Sequence, residues 1–187
     1  LDDEIYRGTG TGQCLGILNA DCKVQQGKEN AQTADTVKAE NVIKMHARLL
    51  ARNMPRAEWY INQEVLPQLQ TMAVAVGSAG GQLVYMPPGG LSSAPYGTLL
   101  GRPVNVIEVA SGIGDAGDIV LADFSEYLLI SKPMTSASSM HVRFIYDEMT
   151  FRWTWPIIGK PMLASAITPY KATTNTTLSP FVTLEAR

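Results

Sequence analysis

Ten residues near the C-terminal third of the chain, "EMTFRWTWPI" (148–157), alternate between large apolar and polar side chains. The apolar positions are Met149, Phe151, Trp153 and Trp155, and the polar positions between them are Thr150, Arg152 and Thr154. Because successive side chains of a strand point to opposite faces, this period of two predicts a β-strand with one large apolar face. The run "MHVRFIYDE" repeats the pattern with Met140, Val142, Phe144 and Tyr146. The two runs are expected to form one long β-ribbon, either continuous or folded as a hairpin.

Helical periodicity is found in three other segments. Residues 1–7 are predicted to be the last turns of a helix, which the glycine-rich stretch after them terminates. Residues 33–55 carry apolar side chains three and four positions apart, which predicts a helix capped by Thr33, Asp35 or Thr36 and stopped at Pro55. A short strand, "AEWYI", is expected to follow with Trp59 buried. Asn62 then caps a third helix, which Pro67 limits or kinks.

Short apolar runs predict the remaining strands. They are expected at 83–86, 104–109, 119–124, 127–131 and in the closing "FVTLEAR". The segment 73–101 is dense in Gly, Pro and Ser and predicts surface loops around the first of these strands. With helices and strands mixed along the chain and no internal repeat, the predicted fold class is α+β.

Composition excludes several classes of protein. The formal net charge of −2 and the sequence pI of about 5.7 argue against a surface built to neutralise nucleic-acid phosphates. No apolar run reaches the roughly 18 residues that a membrane-spanning helix needs. Cys14 and Cys22 are too few for a disulfide scaffold and match no zinc pattern, so they are expected to be reduced and apolar in role. Since the chain begins at Leu1 and not at Met, we expect a fragment or a processed product.

Seven titratable residues are candidates for chemistry, and each has a simpler structural interpretation: His46, His141, Asp115, Asp118, Asp123, Asp147 and Glu148. The first histidine is expected to be packed or half-exposed on its helix, and the second to be solvated or interfacial on the ribbon. The three separated aspartates lack the spacing of a calcium loop and are expected in turns. The adjacent acidic pair points to opposite faces of a strand. We therefore predict no catalytic, cofactor-binding or metal-binding residues.

The stretch "RGTGTGQCLGIL" contains four glycines in the loop Gly8–Gly16 and raises the question of phosphate binding. A dinucleotide fingerprint needs a preceding strand and a different glycine spacing, and a P-loop needs a lysine at its end. Here a helix precedes the loop and no lysine follows. A flexible helix exit is the favoured interpretation. A small phosphate-binding enzyme that uses the Gly8–Gly16 loop stays open as an alternative.

The order of segments resembles the major capsid proteins of tailed bacteriophages and prophages that share the HK97 fold. Four segments carry the resemblance in sequence order: "DDEIYRGTGTGQCLGIL", "AEWYINQEVLPQL", "LLGRPV" (99–104) and "GDIVLADFSEYLLI" (117–130). No single segment is specific, but their ordered series covers nearly the whole chain. The β-ribbon and the closing strand follow in the place where the family has them.

The resemblance implies an HK97-like fold with an A-domain over residues 13–130 and 169–187. A partial P-domain would comprise residues 1–12 and 131–168. The N-arm, the E-loop and most of the spine helix of the family would precede Leu1, so the chain would correspond to the C-terminal portion of the subunit. The glycine stretch would then be the hinge between the spine helix and the A-domain.

The function that the resemblance implies is structural, without catalysis or cofactors. Copies of the subunit would assemble into hexamers and pentamers of an icosahedral capsid around packaged DNA, formed in the bacterial host cytoplasm and retained in the virion. The implied partners are other copies of the same subunit, with a portal or scaffolding protein as further candidates. Neither sequence-specific nucleic-acid binding nor membrane binding is expected. An encapsulin-like nanocompartment shell protein has the same fold and stays open as an alternative.

Overall fold

A mixed seven-stranded sheet forms the centre of the protein in a computed structural model that describes residues 1–75, 81–87, 97–171 and 176–187. Its strands lie in the spatial order β1 (Val24–Gln26), β13 (Phe181–Leu184), β8 (Ile119–Ala122), β2 (Glu58–Ile61), β7 (Arg102–Val106), β6 (Thr98–Leu99) and β5 (Tyr85–Met86). The pairs β1–β13 and β2–β7 are parallel, and the others are antiparallel. The closing segment of the chain therefore lies inside the sheet.

The centre of this sheet is covered on both faces. Strands β8 and β13 are buried along their whole length, which is typical of strands with a core on each side. One face packs against α2 (Ala39–Ala47) and α3 (Leu66–Thr71), and Trp59 lies buried in that core, as predicted. The other face packs against α1 (Asp2–Arg7) and residues 15–22.

Helix α2 is shorter than the predicted helix over 33–55. It begins after Lys38, whose backbone N–H donates to Oδ1 of Asn41 over 3.0 Å, and none of the three predicted caps is used. Asp35 has a φ of 55°, so the backbone there is left-handed and cannot be helical. Beyond Ala47 the chain leaves the helix because the Leu50 N–H donates to the carbonyl of Ser179, 3.2 Å away. A tertiary contact thus ended the helix before Pro55.

The predicted Asn62 cap is confirmed. Its Oδ1 accepts a hydrogen bond from the Glu64 N–H over 3.0 Å and starts a 3₁₀ turn at Gln63–Val65, which continues into α3. Pro67 lies in the first turn of α3, where a missing N–H costs nothing, and it does not end the helix.

The strand predicted at 83–86 is divided between β4 (Gly81–Leu83), which pairs with β3 (Ala73–Ala75), and β5. The expected loops at 76–80 and 88–96 lie outside the described residues.

The predicted ribbon is an antiparallel hairpin in two sections. Near the sheet, β9 (Tyr127–Ser131) pairs with β12 (Ile157–Pro161), and further out β10 (Thr135–Arg143) pairs with β11 (Glu148–Thr154). The prediction that Phe144 and Tyr146 belong to a strand is wrong. They lie in a 3₁₀ turn that reverses the chain, because β10 is already paired with β11 at Arg143 and Glu148. Among the described residues, no helix is long and apolar enough to cross a membrane.

Candidate interaction surfaces

The glycine stretch forms a closed loop in place of the flexible helix exit that we expected. The N–H of Gly16 donates to the carbonyl of Gly8 over 2.8 Å, and the N–H of Gly10 donates to the carbonyl of Cys14 over 3.2 Å. The N–H of Gly8 itself donates to the Glu4 carbonyl at the end of α1. A phosphate site needs backbone N–H groups that point outward to the anion. These three N–H groups bond within the chain and therefore do not point outward to an anion.

The same loop joins three parts of the protein. The N–H of Leu15 donates to the Gly159 carbonyl in β12 over 2.8 Å, and the hydroxyl of Tyr127 in β9 donates to the Leu15 carbonyl over 2.9 Å. The N–H of Ile17 donates to the Ile5 carbonyl of α1. The first helix and the base of the ribbon are therefore bonded to one another through the glycine loop.

Replacing Gly16 by alanine is expected to lower the free energy of unfolding by about 1–3 kcal/mol, since overpacking has a cost of that order. A Cβ at this position would lie 2.5 Å from the Gly8 nitrogen, so the backbone of the loop would have to shift. Gly27 is the matched control, because its added Cβ would only touch the carboxylate of Glu185 at 3.5 Å. Urea unfolding of both variants measures the difference. Equal stabilities of the two variants would show that Gly16 does not lie this close to the Gly8 backbone.

The candidate acidic residues occupy separate structural positions. Asp115 is exposed in a turn, and Asp118 is buried beside Arg187. Asp123 accepts hydrogen bonds from the Asn53 side chain at 2.7 Å and from the backbone N–H of Ser125 at 3.0 Å. Burial on its own would raise the pKa of Asp123, but the hydrogen bond from the Ser125 hydroxyl, these two hydrogen bonds and the Arg56 charge together outweigh it and hold that pKa below its ordinary value. Within the described ranges, no group of three His, Cys, Asp or Glu residues is arranged to hold a metal ion.

The expectation that Asp147 and Glu148 are neighbours on one strand is wrong, because Asp147 lies in the turn at the end of the hairpin with a φ of 54° and β11 begins at Glu148. The histidines and cysteines lie elsewhere in the fold. His46 is half-buried on α2, where burial, and then the nearby Arg102 charge, lower its pKa. His141 is exposed on the ribbon, as predicted. Cys14 and Cys22 are both buried as free thiols. Among the residues that the structure describes, the candidate histidines, cysteines and acidic residues do not meet in one cavity, and the absence of a catalytic site stays a prediction.

The outer hairpin, β10 and β11 with their connecting turn, carries a concentration of apolar side chains that water reaches. Phe151 and Trp153 are each more than half exposed, and their rings stack with centroids 5.9 Å apart. Small residues, Ser138 and Ser136, lie opposite them on β10. The other large exposed side chains of this region are Met140, Val142, Phe144, Ile145, Tyr146, Met149 and Trp155. A monomer rarely exposes so much contiguous apolar surface, which favours a role as an interface.

A second apolar surface is concave and was not predicted from the sequence. A cavity of about 630 Å³, here named the base groove, lies between α1, the sheet, the 3₁₀ turn at Phe124–Glu126 and β9. Its lining is Asp2, Ile5, Tyr6, Tyr60, Ile107, Glu108, Val109, Phe124, Tyr127 and Leu129. Because these residues come from five separate segments, no local pattern indicates the groove. The strand alternation in "AEWYI" gives one local indication of the groove, because the half-buried Tyr60 lies on the face of the strand opposite to the Trp59 core.

Comparison with known proteins gives one family. The sequence matches the phage capsid family over residues 1–172. In structure the chain is similar to the capsid of an empty GTA particle and to the capsid of a native GTA particle, both computed with C5 symmetry, with a TM-score of 0.64 in each case. The identities are 16% and 14%, and each match covers 99% of this chain and 60% of the capsid chain. The chain thus spans about three fifths of the length of these relatives. No curated protein sequence matches it.

Proposed function

The chain belongs to the phage capsid family, and on that premise we propose that it is a structural subunit of a phage or prophage capsid. In the proposal, copies of the subunit associate as hexamers and pentamers and enclose packaged DNA. Apart from the family match, the observation that supports this proposal is the exposed apolar surface of the outer hairpin. Its stacked aromatic rings, Phe151 and Trp153, are each more than half exposed, so the hairpin is suited to burial against a neighbouring subunit.

The proposal divides the subunit into two domains. Residues 13–130 and 169–187 would form the A-domain, which contains the seven-stranded sheet. Residues 1–12 and 131–168 would form the partial P-domain, which contains α1 and the outer hairpin. In this division the closed glycine loop would lie where the two domains meet, and its hydrogen bonds to α1, β9 and β12 would set their relative orientation.

The proposal predicts that this chain is found in the shell of DNA-containing particles. Particles purified from induced host cells on a density gradient are expected to contain the chain as their most abundant protein, measured by mass spectrometry, together with DNA. Trp153→Asp is expected to abolish the particles, because it places a charge in an apolar contact. Trp153→Phe keeps an apolar ring and is the matched control.

Two outcomes would contradict the proposal. Particles that contain a cargo enzyme and no DNA would favour the nanocompartment alternative. If the chain is folded and abundant but absent from every particle fraction, the proposed structural role is wrong.

A further inference from the structure

Four aromatic side chains line the base groove: Tyr6, Tyr60, Phe124 and Tyr127. Phe124 contacts two of the others, with ring centroids 5.0 Å from that of Tyr60 and 6.4 Å from that of Tyr127. The faces of aromatic rings carry a negative potential and attract cations. Groups of such rings are the side chains with which proteins bind quaternary ammonium ions, whose charge is spread over apolar groups.

The hydroxyl groups of the three groove tyrosines are hydrogen-bonded outside the groove. Tyr6, Tyr127 and Tyr60 each donate to an acceptor that does not line it. These acceptors are, in the same order, the Gly117 carbonyl at 2.7 Å, the Leu15 carbonyl at 2.9 Å and the Glu58 carboxylate at 3.2 Å. Because a phenol has one proton to donate, the tyrosines offer a ligand their rings and not a hydrogen-bond donor.

The charge in and beside the groove is negative. Asp2 and Glu108 line the groove as exposed carboxylates, and no lining residue is basic. A second cavity of about 440 Å³, here named the acidic recess, shares Glu108 with the groove and adds Glu64. The nearby Arg7 on α1 donates to the hydroxyl of Ser111, 3.4 Å away, and does not line the groove. This distribution of charge favours a cation over an anion as the ligand.

The groove also has the size of a small-molecule site. Its volume of about 630 Å³ lies within the range of roughly 300–1,000 Å³ that such sites have. We propose that the base groove binds a small apolar cation, an ammonium ion that carries alkyl or aryl groups. The apolar groups of the ligand contact the aromatic rings, and its charge lies beside Glu108, which borders both cavities. This inference goes beyond the capsid role, because such a ligand can bind the chain whether or not copies assemble.

The probe that tests this is benzyltrimethylammonium, which combines an aromatic ring with a permanent charge surrounded by methyl groups. Isothermal titration calorimetry of the full chain is expected to show one bound cation per chain, with a Kd of about 1 mM or below. Benzenesulfonate, an aromatic anion, should bind at least about tenfold more weakly. The ring-proton NMR signals of Tyr60, Phe124 and Tyr127 should shift as the cation is added, since these rings line the groove.

Two variants test the two kinds of contact. Glu108→Gln removes the charge of an exposed side chain and keeps its size, and Phe124→Leu removes a ring and keeps an apolar side chain. Each is expected to weaken binding of the cation about three- to tenfold. Glu40→Gln is the matched control, because Glu40 is exposed on α2, which covers the face of the sheet opposite to the groove. This control variant should bind the cation like the unaltered chain.

Several results would overturn the inference. They are no detectable binding of the cation, equal binding of benzenesulfonate, and an unchanged affinity in Glu108→Gln, whose exposed position does not depend on the packing of the groove. A loss in Glu40→Gln as large as in Glu108→Gln would place the cation outside the groove and would equally contradict the inference. The particle test of the proposed function is separate, since the capsid role stands or fails whether or not the cation binds.

Discussion

Replacing Trp59 by alanine is expected to lower the free energy of unfolding by about 3–5 kcal/mol, the usual cost of truncating a buried large aromatic side chain. Trp59 is fully buried in β2, between β8 and β7, and its indole N–H donates to the carbonyl of Leu99 over 3.0 Å. Alanine would leave a cavity in the main core and a carbonyl without its donor. Urea unfolding followed by circular dichroism measures the loss.

Trp153→Ala is the matched control for this prediction. That indole is 63% exposed on the outer hairpin and stacks on Phe151, so its removal should lower stability by about 1 kcal/mol or less in the monomer. Trp59→Phe separates the contribution of apolar packing from that of the hydrogen bond to Leu99, since phenylalanine keeps most of the apolar volume but cannot donate that bond. A loss below about 1 kcal/mol for Trp59→Ala would mean that β2 is not at the centre of the sheet.

Removing the guanidinium of Arg187 is expected to lower stability by about 3–5 kcal/mol, because it leaves a buried carboxylate without its counter-charge. The side chains of Arg187 and Asp118 are both completely buried and form an ion pair. The Arg187 guanidinium also donates to the carbonyls of Thr36 and Glu185. The variant Arg187→Met keeps most of the side-chain volume and tests the charge.

The double variant Arg187→Met/Asp118→Asn shows whether the cost comes from the unpaired charge. Asparagine keeps an acceptor for the N–H of Gly114, which bonds to Asp118 Oδ2 at 3.1 Å, but it carries no charge. The double variant is expected to be more stable than Arg187→Met by about 1–3 kcal/mol, measured as a double-mutant cycle. Lys44→Met is the control at the exposed Lys44–Glu29 pair, with an expected loss below about 1 kcal/mol. Equal losses in Arg187→Met and Lys44→Met would contradict the buried pair.

The elements that the sequence predicted well are those in which one local signal decides the conformation. Strands β2, β9 and β13 and the Asn62 cap lie where the residue pattern placed them. In each case the signal is short: an apolar run bounded by turn residues, or a side chain that accepts from a backbone N–H two positions on. The prediction that the helix continues past Ala47 to Pro55 is wrong. A helix can end where a tertiary contact takes its backbone groups, and here the Leu50 N–H donates to the carbonyl of Ser179.

The sequence also could not show which surfaces face one another. The alternation in 148–157 predicted an apolar face on the ribbon, and the structure leaves that face exposed. The base groove combines residues from α1 to β9, and the glycine loop closes on itself through backbone bonds that no composition reveals. A groove or a closed loop is a property of distances between segments, and a residue pattern carries no such distances.

By itself, the amino-acid sequence determined the α+β class, the ribbon with its aromatic face, the burial of Trp59 and the family. All of these follow from local periodicity or from the order of segments. Only the tertiary structure decided where α2 ends, that Arg187 is buried against Asp118, and that a groove forms between α1 and β9. The physical reason is that burial, ion pairing and surface shape depend on residues far apart in sequence, 69 positions in the case of Arg187 and Asp118. Their energies are set by the packed environment that folding creates.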